Sequence, residues 1–153
     1  MTVVEALQRS VLFRDFTETG LRIFASVAAE KAVPAGSPLF VENMVGESMF
    51  IVKTGTVRVS QRGADGEHEL AVLGPGEHLG ALALLGKSVR LVSAVAATPC
   101  EVVELAQRDF ARLQPQKPQA CLKLALAIAA DLSAKVAESR ELLRGLAARP
   151  STP

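Results

Sequence analysis

The sequence predicts a mainly β domain with flanking α elements, and three stretches of different texture predict it. Residues 3 to 33 repeat apolar side chains at helical spacing, residues 33 to 105 are cut by glycines into short pieces, and the chain from Gln107 onward turns helical again. A composition of 153 residues, 49% hydrophobic and 22% charged, is that of one compact domain with one core rather than a disordered segment or a fibre. A chain of this length buries roughly two thirds of the surface its unfolded form exposes, so it needs neither disulfides nor a structural metal.

In the first stretch Val4, Leu7, Val11 and Leu12, then Leu21, Phe24, Ala25 and Ala28, recur three or four residues apart. Thr17 is placed as an N-cap with Gly20 in the turn that follows, and two small helices are expected. In the middle stretch Gly36, Gly46, Gly55, Gly63, Gly66, Gly74, Gly76, Gly80 and Gly86 set the rhythm of short strands joined by turns. Ser48 to Lys53 and Thr56 to Ser60 are rich enough in β-branched and alternating residues to be strands, with a tight turn at Gly55. Gly63-Ala64-Asp65-Gly66 is a hairpin signal leading into a strand from Glu67 to Leu73, which Gly74-Pro75-Gly76 ends. Arg90 to Ala97 and Cys100 to Leu105 read as two further strands around Thr98-Pro99. Regular short strands of this kind predict a barrel or jelly roll.

After a short helix at Asp109 to Leu113, the chain from about Pro118 to Gly145 reads as one long helix. Leu122, Ala129, Val136 and Leu143 are seven residues apart, and Ala125, Leu132, Ser139 and Leu146 follow each by three, so seven of these eight positions are apolar. Such a stripe asks for a partner helix, and a homodimer joined through Leu122, Ala125, Ala129, Leu132, Val136 and Leu143 is expected. The other reading is an amphipathic helix packed on its own domain alone. Leu124, Leu126 and Ile128 make the first half apolar on other sides too, so that half is expected to lean on the barrel. One domain is expected over residues 1–147, with the β portion at about 33–105, the long helix at about 118–146 and a disordered tail at 148–153.

Several functions are excluded. Lys and Arg number 17 against 16 Asp and Glu, so no generally basic surface exists to attract nucleic acid or an anionic membrane. Charged residues interrupt every apolar run before it reaches the length of a membrane span, and the N-terminus lacks a secretory signal, so a cytoplasmic protein is expected. Cys100, Cys121, His68 and His78 offer no metal-ligand spacing, so neither a metal nor a cofactor is expected. Both thiols read as small buried hydrophobes, and both histidines as exposed loop or strand-end residues. Gly86-Lys87-Ser88 fails the P-loop spacing, and Ser48, Ser88 and Cys100 have no base beside them, so the chain is not read as an enzyme.

The segment from Gly80 to Arg90 carries the remaining chemistry. One helical turn starting at a glycine exposes free N–H groups to an anion, and an arginine can pair with it bidentately. On composition alone, Arg90 reads as a surface charge on an apolar turn.

Three stretches carry a resemblance: Val33 to Phe40 (VPAGSPLF), Met49 to Val57 (MFIVKTGTV) and Leu73 to Gly80 (LGPGEHLG), joined by Arg90 with Val92, Ser93 and Ala94, and by Pro99 to Val102. Together they resemble the cyclic-nucleotide-binding domain of the catabolite activator protein family, the regulatory subunits of cyclic-nucleotide-dependent kinases and the cyclic-nucleotide-gated channels, over about residues 10 to 146. The resemblance implies an eight-stranded β-roll (a double-stranded β-helix or jelly roll) with small N-terminal helices and a long C-terminal helix that forms the dimer seam in the bacterial regulators. It implies a cyclic nucleotide at Gly80, Ala81, Leu82, Ala83, Arg90, Leu91, Val92 and Lys135, with the phosphate on Arg90. The DNA-reading domain that follows the long helix in those regulators would lie beyond Pro153, so a sensor module without direct DNA binding is expected. The sequence departs from the family pattern at Ala81, where the family has the ribose-binding glutamate, and at Leu91, where it has a small residue. Two functions follow: a non-catalytic sensor whose ligand shifts the C-terminal helix, or a degenerate homodimeric interaction module, its pocket closed by Leu91, that recognises a partner protein.

Overall fold

The structure, a computed structural model, describes residues 1–147. The tail 148–153, expected to be disordered, and the side chains of Leu143 and Leu146, expected on the stripe, lie outside the described residues.

Two short helices open the chain, α1 (Val3–Arg9) and α2 (Glu18–Ala25), with a single 3-10 turn at Val11–Phe13 between them. Each start is capped: Thr2, Ser10 and Thr17 accept from the backbone N–H of Glu5, Leu12 and Gly20. Thr17 caps the second helix as the sequence predicts. That helical texture ends earlier than expected, because Ala29–Val33 is strand β1, paired antiparallel with residues Cys100–Glu104. Its outward charges find partners across the sheet, Lys31 with Glu104 at 3.0 Å and Glu30 with Lys53 at 3.1 Å. Ladder hydrogen bonds and these pairs decide the local conformation where propensity does not.

Ten strand segments follow one another into the roll: after β1 come β2 (Pro38–Phe40), β3 (Val45–Gly46), β4 (Ser48–Thr54), β5 (Val57–Gly63), β6 (Gly66–Leu73), β7 (His78–Leu79), β8 (Ser88–Val89), β9 (Ser93–Ala96) and β10 (Cys100–Ala106). They form two four-stranded antiparallel sheets, ordered β1-β10-β4-β7 and β2-β9-β5-β6, and a small β3-β8 pair. β5 and β6 close on a two-residue turn at Ala64-Asp65, as the glycine pair predicts, with Gly63 opposite Gly66. At Gly55, φ is +85° and a Cβ would collide with the Pro99 carbonyl, so only glycine fits.

Strand β4 is buried along nearly its whole length because its sheet is covered on both sides. Phe50 and Val52 point into the roll, against Val57, Val59, Leu79, Ala94, Cys100 and Val102. Met49 and Ile51 point the other way, into a second cluster with Leu7, Phe13, Leu21, Phe24, Phe110, Leu124 and Ile128 from the helices. The single core expected from composition is therefore two apolar clusters with a sheet between them. Cys100 and Cys121 are both buried thiols.

The strand expected from Arg90 starts only at Ser93. Arg90 instead bonds a loop, its N–H donating to the Met44 carbonyl and its carbonyl accepting from Asn43. After the short helix α3 (Leu82–Leu85) that follows Gly80, and after α4 (Gln107–Leu113), the C-terminal helix is two helices, α5 (Pro118–Glu138) and α6 (Arg140–Ala147). The break comes at Ser139, at φ −89° and ψ 11°, whose N–H is shared between the Lys135 and Val136 carbonyls while its hydroxyl donates to Lys135. Such back-bonding by a serine competes with the helical ladder.

Candidate ligand site between the roll and the C-terminal helix

A cavity of about 320 Å³ lies where the roll meets α5. One wall is Phe40, His78, the turn from Gly80 to Ala83 and the segment from Ser88 to Val92; the other is Ile128, Asp131, Leu132 and Lys135. Its size is at the lower end of small-molecule sites. All eight residues singled out from the sequence, Gly80, Ala81, Leu82, Ala83, Arg90, Leu91, Val92 and Lys135, meet there.

Arg90 is the centre of the site and is not the surface charge that composition suggests. It is 7% exposed. Its Nη2 donates to the Ser48 carbonyl at 2.7 Å, and the guanidinium carbon sits 4.2 Å from the centre of the Phe40 ring. Both the bond and the stacking fix the planar group in place. Two glycines make room for it. A Cβ on Gly46 would stand 3.2 Å from the guanidinium, and one on Gly80, at φ +70°, would collide with Nη1. Burial pushes the Arg90 pKa down and Glu104 pulls it back up, yet a guanidinium stays charged throughout the physiological range. Among the described residues this cation has no ion pair.

The second polar group joins the two walls. His78, expected to be exposed, has a side chain only 8% exposed, with Nε2 donating to Asp131 Oδ2 at 2.9 Å. It is buried because β7 pairs with β4 and turns the ring under α5. The same Asp131 oxygen lies 3.0 Å from Lys135 Nζ, one helical turn along. Burial lowers the His78 pKa, helped by the Lys135 ammonium and opposed by Asp131 and Glu77, so the ring is neutral at pH 7. Burial alone would raise Asp131, but its bonds to Lys135 and His78 hold it below the ordinary carboxylate value. His68, by contrast, is exposed, and its ring bonds Asp65.

Leu91 is 63% exposed, at the lip of the cavity, and does not fill it. The pocket expected to be closed by Leu91 is open. On α5, Cys121, Leu124 and Ile128 face the domain, whereas Leu122, Leu132 and Val136 are 60%, 41% and 50% exposed. Ala125 is half-buried and Ala129 exposed. Leu122, Ala129, Leu132 and Val136 are thus left open to solvent, against the reading in which the whole stripe packs on its own domain. Leu132 serves both surfaces, as it also lines the cavity.

Sequence reasoning missed Phe40, His78, Ile128 and Asp131. Asp131 and Lys135 carry a legible signal, an acid four residues before a base. The partnership of His78 with Asp131 spans 53 residues and carries none. Among the described residues no group of three or more His, Cys, Asp or Glu could hold a metal ion, and no helix is long and apolar enough to cross a membrane.

A β-roll holding a buried arginine in a cleft walled by its own C-terminal helix is the architecture of a ligand-binding regulatory domain. The chain belongs to the cyclic nucleotide-binding domain family, whose sequence model matches residues 30–116. It is 31% identical over 127 residues to the Cyclic AMP receptor protein of Thermus thermophilus, covering 82% of this chain and 59% of that protein. The chain thus spans less than two thirds of that relative. Among solved structures, the Thermus thermophilus Catabolite Activator Protein superposes with a TM-score of 0.80 at 30% identity, over 90% of this chain and 63% of that one. The regulatory domain of Toxoplasma gondii PKA, solved with cAMP, superposes with a TM-score of 0.66 at 29% identity, over 72% of this chain and 42% of that one.

Proposed function

We propose that this chain is a non-catalytic sensor module that binds an anionic small molecule on Arg90 and transmits occupancy to α5. The observation that carries this reading is the placement of a nine-tenths buried arginine, without an ion pair among the described residues, in a cavity whose opposite wall is the helix itself. A buried charge without a partner is costly, and an anion in the cleft relieves that cost. A ligand moves a helix only through differential affinity for its two positions, which requires that ligand and helix touch. Ile128, Leu132 and Lys135 supply that contact, and the His78–Asp131 bond ties the helix to the strand that leads into the Gly80 turn. Relatives include a cyclic AMP receptor protein and a cGMP-dependent protein kinase, so the cyclic phosphate of such a nucleotide is the first anion to test on Arg90. The exposed residues of the stripe, Leu122, Ala129, Leu132 and Val136, support a homodimer through α5, with a partner protein receiving the signal.

Thermal shift against cAMP and cGMP tests the reading, since a ligand at a hundred times its Kd adds about 2.7 kcal/mol of stability. In the wild type a ligand of this site raises Tm by several degrees, and Arg90→Met removes the rise. An equal rise in the variant would sink the role of Arg90. Burial of Arg90 makes the free variant less stable too, by about 1 to 2 kcal/mol for the lost bond to Ser48. Ligand-induced shift, and not free Tm, is therefore the readout.

A further inference from the structure

Apart from Arg90 and the rim lysine Lys135, the side chains of the cleft offer little to a polar ligand. Those of Ala81, Leu82, Val92, Ile128 and Leu132 are hydrocarbon. Asp131 is committed to both His78 and Lys135, and His78 spends its proton on Asp131. Ser88 supplies the one hydroxyl among the described lining residues. Among the described residues the Arg90 guanidinium gives one hydrogen bond, to the Ser48 carbonyl, and has donors to spare.

Resting on the sensor reading above, we infer that the cleft selects an anion with an apolar body, an alkyl or aryl carboxylate or phosphate monoester, ahead of a ligand that brings ribose hydroxyls. The head pairs with the buried guanidinium, where a charge-assisted, bidentate bond is strongest. The body lies between the Gly80 turn and α5, touching Ile128 and Leu132. A ribose hydroxyl carried into the same space leaves water and meets carbon, which lowers affinity roughly five- to a hundredfold for each unmatched group. Each methylene placed there raises affinity by about fourfold until the cavity is full.

Calorimetric titration of the full chain with hexanoate, octanoate, decanoate, octyl phosphate, 1-octanol and cAMP tests the inference. Expected are a rise in affinity of about fifteenfold for each two-carbon step, octanoate at least tenfold tighter than 1-octanol, and decanoate at least tenfold tighter than cAMP. The better of octanoate and octyl phosphate names the head group. Arg90→Met should erase the preference for octanoate over 1-octanol while keeping the chain-length dependence. Two results overturn the inference and leave the sensor reading standing: cAMP binding more tightly than every apolar anion, or affinity independent of chain length. Equal binding of 1-octanol and octanoate to the wild type overturns the pairing with Arg90. Failure of every compound, cAMP included, overturns both readings.

Discussion

At the scale of single residues, the site depends on space as much as on charge. Gly80 combines a left-handed backbone with direct contact to the Arg90 guanidinium. Gly80→Ala is therefore expected to lower stability by about 1 to 3 kcal/mol and to displace Arg90, read as a fall in Tm together with loss of ligand-induced stabilisation. His78 gives a pH dependence whose sign is fixed by its surroundings. Its folded pKa lies below the ordinary 6.5, so as pH falls the unfolded chain takes up the proton first. Stability present above about pH 6.5 is then lost as pH drops toward the folded value. Tm should fall between pH 7.5 and 5.5, and His78→Gln should flatten that part of the profile. An identical profile in the variant would mean that the ring titrates as it does in the unfolded chain.

At the scale of elements, α5 has two faces with different work. Its inner face is packed by Cys121, Leu124 and Ile128, and Ile128→Ala should cost about 2 to 5 kcal/mol, measured by denaturant midpoint at constant slope. At the C-terminal break the Ser139 hydroxyl donates to the Lys135 carbonyl, a bond that competes with the helical ladder. Ser139→Ala should join α5 to α6 and raise helical content by circular dichroism, with stability changed by less than about 1 kcal/mol. Elements with strong periodicity or turn chemistry were legible in the sequence: the capped helix after Thr17, the hairpin at Gly63 to Gly66, and the long run from Pro118. Those that exist only because a neighbour pairs with them were not. β1 reads as the tail of a helix until β10 lies beside it, and Arg90 to Val92 read as strand until the Asn43–Met44 loop takes the Arg90 backbone. The cavity was legible as far as the Gly80 turn, Arg90 and Lys135 could carry it. His78 was misread because its burial comes from a helix 53 residues away in sequence.

At the scale of the whole molecule, one helix joins the three surfaces that matter. The roll holds its inner face, the cavity opens on Ile128, Asp131, Leu132 and Lys135, and the stripe through Leu122, Ala129 and Val136 stays exposed. Val136→Glu introduces charge into that stripe and should convert a dimer into monomers by sedimentation at micromolar concentration, without change in Tm of the monomer. An unchanged sedimenting mass would place the dimer elsewhere.

The central claim is that occupancy of the Arg90 cleft is read by α5, and hydrogen exchange tests it most directly. Amides from Ile128 to Glu138 should exchange several-fold more slowly when the cleft is saturated with its best-binding anion, with no such change in Arg90→Met. Protection confined to the Gly80 turn, with α5 exchanging at the same rate bound and free, would contradict it.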